Sequence, residues 1–176
     1  MASDQHDGEY TECRDWKAAV YDELDRIEPD LVILSTSDAA EIMGHLEETA
    51  VDEWREGWEA TVDRVSAASG ATVVLTDTPR ATDGPAPDCL SLNMDSPQDC
   101  LDGDPYEIHH VERRDAGIEV QQEAGAAVID TAEWFCVQEG CPLIMGDLLV
   151  YRDSHHISTP YSKSLATMLY KALPTF

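Results

Sequence analysis

The chain has 176 residues, enough for one domain with a real core and short for two comfortable ones. Its 36 acidic residues against 11 basic ones leave a net charge of −25, and such a surface repels phosphate backbones and anionic headgroups, which excludes nucleic acid as a partner. The apolar share of 43% is ordinary; there is no apolar run of about 18 residues to span a membrane and no apolar stretch after Met1 like that of a secretory signal.

Residues 1–9 read as a disordered, acidic lead-in. From Thr11 the pattern turns helical: Cys13, Trp16, Val20, Leu24 and Ile27 recur at steps of three and four and predict one buried face, ended by Pro29. Leu31 to Leu34 is a short, continuous apolar run, as in a parallel strand covered on both faces. A loop with a short helix follows to Thr49. A second helix then carries Val51, Trp54, Trp58, Val62 and Val65 on one face, with Gly70 as its cap.

Residues 71–76 form the next predicted strand. The stretch 80–104, rich in Pro, Gly and Asp, reads as a long ordered loop. A helix of weaker periodicity over 105–123 leads to a third strand at 126–130. Leu143-Ile144-Met145 and Leu148-Leu149-Val150 flank a Gly146-Asp147 turn. Thr159-Pro160 marks the N-terminus of a last helix that buries Leu165, Leu169 and Leu173. Strands alternating with helices predict an α/β fold with a parallel sheet, whose chemistry sits at the C-terminal ends of the strands.

The five cysteines include two close pairs in loop-like settings, Cys89/Cys100 and Cys136/Cys141, which predict disulfides and an oxidising compartment. Four cysteines allow three connectivities, so the pairing is open at this point. Neither pair has the C-x-x-C spacing of a structural zinc site, and Cys13 is left over.

The block that carries chemistry is Tyr151-Arg152-Asp153-Ser154-His155-His156-Ile157-Ser158. An Asp three residues ahead of a His lets one loop present a carboxylate and an imidazole together. That is a base and its orienting group, two thirds of a Ser-His-Asp triad. His155 competes with His156 for the role of base. His109-His110 reads as a solvent-facing helical pair.

Several further blocks stand in a telling order: Tyr10-Thr11-Glu12-Cys13, Pro29 to Ser35, Val73 to Pro79, Asp88-Cys89-Leu90, Ile129-Asp130-Thr131, Trp134-Phe135-Cys136 and Cys141-Pro142. With the Asp-x-x-His-Ile-Ser block they make the chain resemble, over about 10–174, the SGNH domain at the C-terminus of bacterial acyltransferase-3 membrane proteins, which O-acetylate cell-surface polysaccharide and peptidoglycan. The resemblance implies a flavodoxin-like three-layer α/β/α domain on the extracytoplasmic side, working through a serine triad without a cofactor. It implies Asp153 as orienter and His156 as base, an acyl donor or acylated glycan as partner molecule, and a membrane acyltransferase domain on the N-terminal side.

The chain departs from the family at the nucleophile. The family serine lies in a Gly-Asp-Ser block ending the first strand, whereas here Gly146-Asp147 is followed by Leu148 and no Gly-Asp is followed by serine. The expectation is therefore a partial SGNH domain over 10–176, lacking its first strands and inactive alone. Its 31–35 strand then exposes an apolar edge, and Cys13 lacks a partner that family members place in the missing stretch. Ser35 and Ser37 are weaker nucleophile candidates. Two other readings stand beside this one: a non-catalytic glycan- or partner-binding module, and a metal-dependent hydrolase built on the His and Asp pairs.

Overall fold

The structure, a computed structural model, describes residues 11–35, 37–38, 47–81, 84–100, 111–138 and 140–175. The acidic lead-in, most of the stretch between the first strand and second helix, and His109-His110 lie outside these residues. The chain divides into two compact units: one comprises residues 1–75, 112–129 and 174–176, the other 76–111 and 130–173. Among the described residues, no helix is long and apolar enough to cross a membrane.

The first unit holds α1 (Thr11–Ile27), β1 (Val32–Ser35), α2 (Glu47–Ser66), β2 (Thr72–Leu75), α4 (Val111–Glu123) and β3 (Ala127–Ile129). The three strands form a parallel sheet in the order β1-β2-β3, with Leu34 paired to Val74 and Val74 to Val128. The helices α2 and α4 are the crossovers that parallel pairing requires. β2, in the middle, buries Thr72, Val73 and Val74 completely or nearly so. Val62 of α2 packs with Val74 and Ala126, and Leu34, Trp58 and Val128 surround that cluster.

Gly70 sits where the chain passes close to Asp30, and a Cβ there would lie 2.7 Å from the Asp30 carbonyl oxygen. Its amide donates to the Pro29 carbonyl at 2.9 Å, while the Val32 amide donates to Ala71. The role of Gly70 is thus this close approach, while α2 itself ends earlier, at Ser66.

The α1 helix lies where its periodicity puts it, but its apolar stripe is not buried. Cys13, Val20 and Leu24 are half-covered, whereas Trp16 and Ile27 are 67% and 48% exposed. The helix meets α2 through a polar-edged seam. The Arg64 guanidinium sits over the Tyr21 ring and pairs with Asp25 at 2.6 Å, and the Lys17 ammonium donates to the Thr61 hydroxyl. That seam rotates the helix so that Trp16 faces away. On β1, Ile33 is 43% exposed, and among the described residues this strand is paired on one side only, by β2.

The second unit holds α3 (Ala86–Leu92), the hairpin β4 (Ile144–Met145) and β5 (Leu148–Leu149), α5 (Thr159–Ser164) and α6 (Ala166–Ala172). Its core is aromatic: Phe135 stacks on Tyr151 and meets Tyr161 edge-on, with Ala86, Cys100, Leu143 and Val150 filling in. The β4–β5 turn is Gly146-Asp147, with Gly146 at φ 63°, where glycine is favoured.

Two expectations give way here. The predicted loop over 80–104 contains α3 and a 3₁₀ turn at Pro97–Cys100, joined by the Cys89–Cys100 disulfide. Pro at the first helical turn opens α3 rather than breaking it. The single C-terminal helix is two, parted at Leu165, and its cap is Ser158 rather than Thr159. The anchor is Tyr161; Leu165, Leu169 and Leu173 are only half-buried. A second disulfide, Cys136–Cys141, closes the short loop before β4, while Cys13 has a free thiol.

Candidate active site

The first unit has a cavity of about 440 Å³ between α2 and α4, lined by Asp52, Arg55, Glu56, Glu59, Asp63 and Glu123 among others. Arg55 is itself paired there with Glu119 and Glu123. Carboxylates and one engaged guanidinium supply neither a hydroxyl or thiol nucleophile nor an imidazole.

The second unit carries the imidazoles. After β5 the strand direction continues through Val150, whose amide donates to Leu143 at 2.9 Å. Tyr151 then pairs with Ile157 across a short antiparallel bridge, and the Arg152 amide donates to the His156 carbonyl at 3.0 Å. The three residues between Arg152 and His156 are thrown into a tight loop with Asp153 at its start. The base of the loop is stitched by Ser158. Its amide donates to Val150, its hydroxyl donates to the Leu149 carbonyl, and the same oxygen accepts the Tyr161 amide at 3.2 Å as the N-cap of α5.

Within the loop, the Asp153 carboxylate works with both oxygens. Oδ1 accepts the backbone amides of His155 at 2.9 Å and His156 at 2.7 Å, a turn that aspartate forms readily. Oδ2 meets Nδ1 of His156 at 2.8 Å. The two backbone amides, followed by the His156 ring, hold this carboxyl well below the usual carboxylate range. With an ionised acceptor at Nδ1, that nitrogen carries the proton and Nε2 presents the free lone pair.

His155 is held differently. Its Nδ1 is 3.8 Å from the nearer Asp153 oxygen and 3.1 Å from the Ser154 hydroxyl, and its ring lies against that of His156 with centroids 4.0 Å apart. Arg152, 65% exposed, approaches the carboxylate only to 3.7 Å, too loosely to matter much in water. Asp153, His155 and His156 offer three metal-type ligand atoms within 4.8 Å of one another.

Two contacts hold the loop that spacing along the chain did not reveal. The Ala81 amide donates to the Ser154 carbonyl at 2.9 Å, and the Ala86 amide, at the start of α3, donates to the Asp153 carbonyl at 3.4 Å. These are long-range backbone bonds, and alanine carries no side-chain signal for them. Of the serines weighed as nucleophiles, Ser35 ends β1 and Ser37 follows it, both exposed and both in the first unit. Ser158 has its hydroxyl committed as described.

A family model for the SGNH domain fused to AT3 domains matches residues 2–171. The chain belongs to this SGNH family. No curated protein sequence matches it. Among solved structures it is similar to the periplasmic domain of a lipopolysaccharide acetyltransferase from Salmonella ser. Paratyphi A. The TM-score is 0.63 at 15% identity, over 89% of this chain and 62% of that one. That likeness supports the SGNH-type α/β fold, and the chain spans less than two thirds of the length of that structure.

Proposed function

We propose that this SGNH chain provides the acid–base half of an O-acyltransferase or esterase site acting on cell-surface glycans outside the cytoplasm. His156 is the base, Asp153 its orienter, and the nucleophile is a serine outside these 176 residues. The observation that carries the reading is the 2.8 Å bond between Asp153 Oδ2 and His156 Nδ1, which leaves Nε2 free. The occurrence of this family fused to AT3 domains supports a membrane acyltransferase as the adjoining domain. Two disulfides support an extracytoplasmic location.

The chemistry follows from the dyad. Nε2 takes the proton as the serine oxygen bonds to the acyl carbon. The tetrahedral intermediate then collapses, and Nε2–H protonates the departing alcohol. The acyl-enzyme is next attacked by a sugar hydroxyl or water, which Nε2 deprotonates in turn. Asp153 stays ionised throughout and stabilises the imidazolium.

The test is acyl transfer by the full-length protein. His156→Ala and Asp153→Asn should each lower kcat by roughly 10³–10⁴ with little change in KM. A His156→Ala protein that keeps its rate removes this reading. A second reading is a glycan-binding module without catalysis. It predicts glycan binding that is unchanged in His156→Ala and no turnover in either protein.

A further inference from the structure

Acid–base catalysis at this loop needs one imidazole; the loop has two, and the second is packed against the first. His155 stands outside the Asp153–His156 bond, yet its ring centroid is 4.0 Å from that of His156. Together with the Asp153 carboxylate these rings place three ligand atoms within 4.8 Å of one another. We propose that Asp153, His155 and His156 capture one zinc-class divalent cation, and that capture switches the dyad off.

The donor set is two imidazole nitrogens and a carboxylate, which suits zinc, copper or nickel and not magnesium or calcium. Tetrahedral ligands at about 2.0–2.2 Å from zinc lie roughly 3.4 Å apart. The widest separations must therefore contract, while the 2.8 Å Asp153–His156 pair opens if Nδ1 is the ligand atom. The side chains that must turn are 44% and 51% exposed for the two histidines and 39% for the aspartate, so no core packing resists the movement. The backbone of the loop is already held, by the two amides bonded to Asp153 and by the Ala81 and Ala86 amides from outside. A net charge of −25 raises the local concentration of cations around the loop.

The consequence follows from lone-pair counting and rests on His156 being the base. A metal at Nε2 occupies the lone pair that accepts the serine proton. A metal at Nδ1 leaves the ring proton on Nε2, replaces the Asp153 hydrogen bond and so inverts the tautomer. Either mode removes the base, and a chelator restores it.

The first measurement is histidine ring NMR of the 176-residue chain titrated with ZnCl₂, then with MgCl₂. The expected result is that the His155 and His156 signals move together along one saturable curve with zinc and stay still with magnesium. His155→Ala and His155→Gln should each weaken zinc binding roughly tenfold or more. Rings that do not move, signals from His6, His45, His109 or His110 moving instead, or unchanged affinity in both His155 variants would overturn the site. In the full-length protein, zinc should inhibit transfer in the wild type, reversibly with a chelator, and far less in the His155 variants. Ring shifts without inhibition overturn the switch. Activity surviving in His156→Ala, with the ring shifts intact, instead removes the dyad reading while leaving the metal site standing.

Discussion

Ser158→Ala is the substitution that best probes how the site is held. Ser158 is 6% exposed and its one hydroxyl makes two bonds. It caps α5 by accepting the Tyr161 amide at 3.2 Å, and it donates to the Leu149 carbonyl at the end of β5. Loss of a serine N-cap costs about 1 kcal/mol. Loss of a hydroxyl–carbonyl bond that leaves a part-buried acceptor costs about 1 kcal/mol more. The sum, about 2 kcal/mol, should lower the melting temperature by roughly 4–8 °C for a chain of this size. Urea denaturation followed by circular dichroism reads the free energy directly. Ser164→Ala is the control, because its hydroxyl bonds only the Tyr161 carbonyl on an exposed turn, and it should cost less than about 0.5 kcal/mol. A Ser158→Ala loss no larger than that of Ser164→Ala would refute the account of a stitched loop base.

Three other outcomes follow from the same geometry. Asp153 has its carboxyl held below the usual range, so its ionised form contributes stability above about pH 4, and that contribution is lost as pH falls further. The stability gap between wild type and Asp153→Asn should accordingly shrink as pH falls below about 4; a gap that grows between about pH 4 and pH 2 contradicts the hydrogen-bond assignment. Removing the Cys89–Cys100 bridge, which spans a sequence separation of 11, should cost about 3 kcal/mol, and removing Cys136–Cys141, separation 5, about 2 kcal/mol. Equal melting temperatures with and without reductant would show that neither bridge forms. Gly70→Ala drives a Cβ to 2.7 Å from the Asp30 carbonyl oxygen and should destabilise by roughly 1–3 kcal/mol, measured by chemical denaturation; a neutral effect would mean that the chain crosses there less closely.

What was legible along the chain is what short-range rules decide. The strands at β1, β2 and β3 are short apolar runs with turn residues at their ends, and periodicity alone marks α1 and α2. The Gly146-Asp147 turn and the Asp153–His156 spacing are equally local. A carboxylate three residues ahead of an imidazole can reach it whenever the backbone turns, and the same carboxylate makes the turn by accepting two amides.

Tertiary structure decided the rest, because burial depends on what another segment brings. Trp16 and Ile27 lie on the stripe that periodicity marks, yet α1 turns a different edge to α2, where Arg64 finds both Tyr21 and Asp25. The Pro-rich stretch hides α3 because its prolines fall at a helix start, where they are tolerated. The C-terminal helix is placed by Tyr161 against Phe135 rather than by its leucines. Which amides hold the Asp153 loop could not be read from Ala81 and Ala86, since a backbone donor looks the same in every residue but proline. The sequence by itself determined a carboxylate and an imidazole within reach of each other; the fold determined that the loop carrying them is held from both sides.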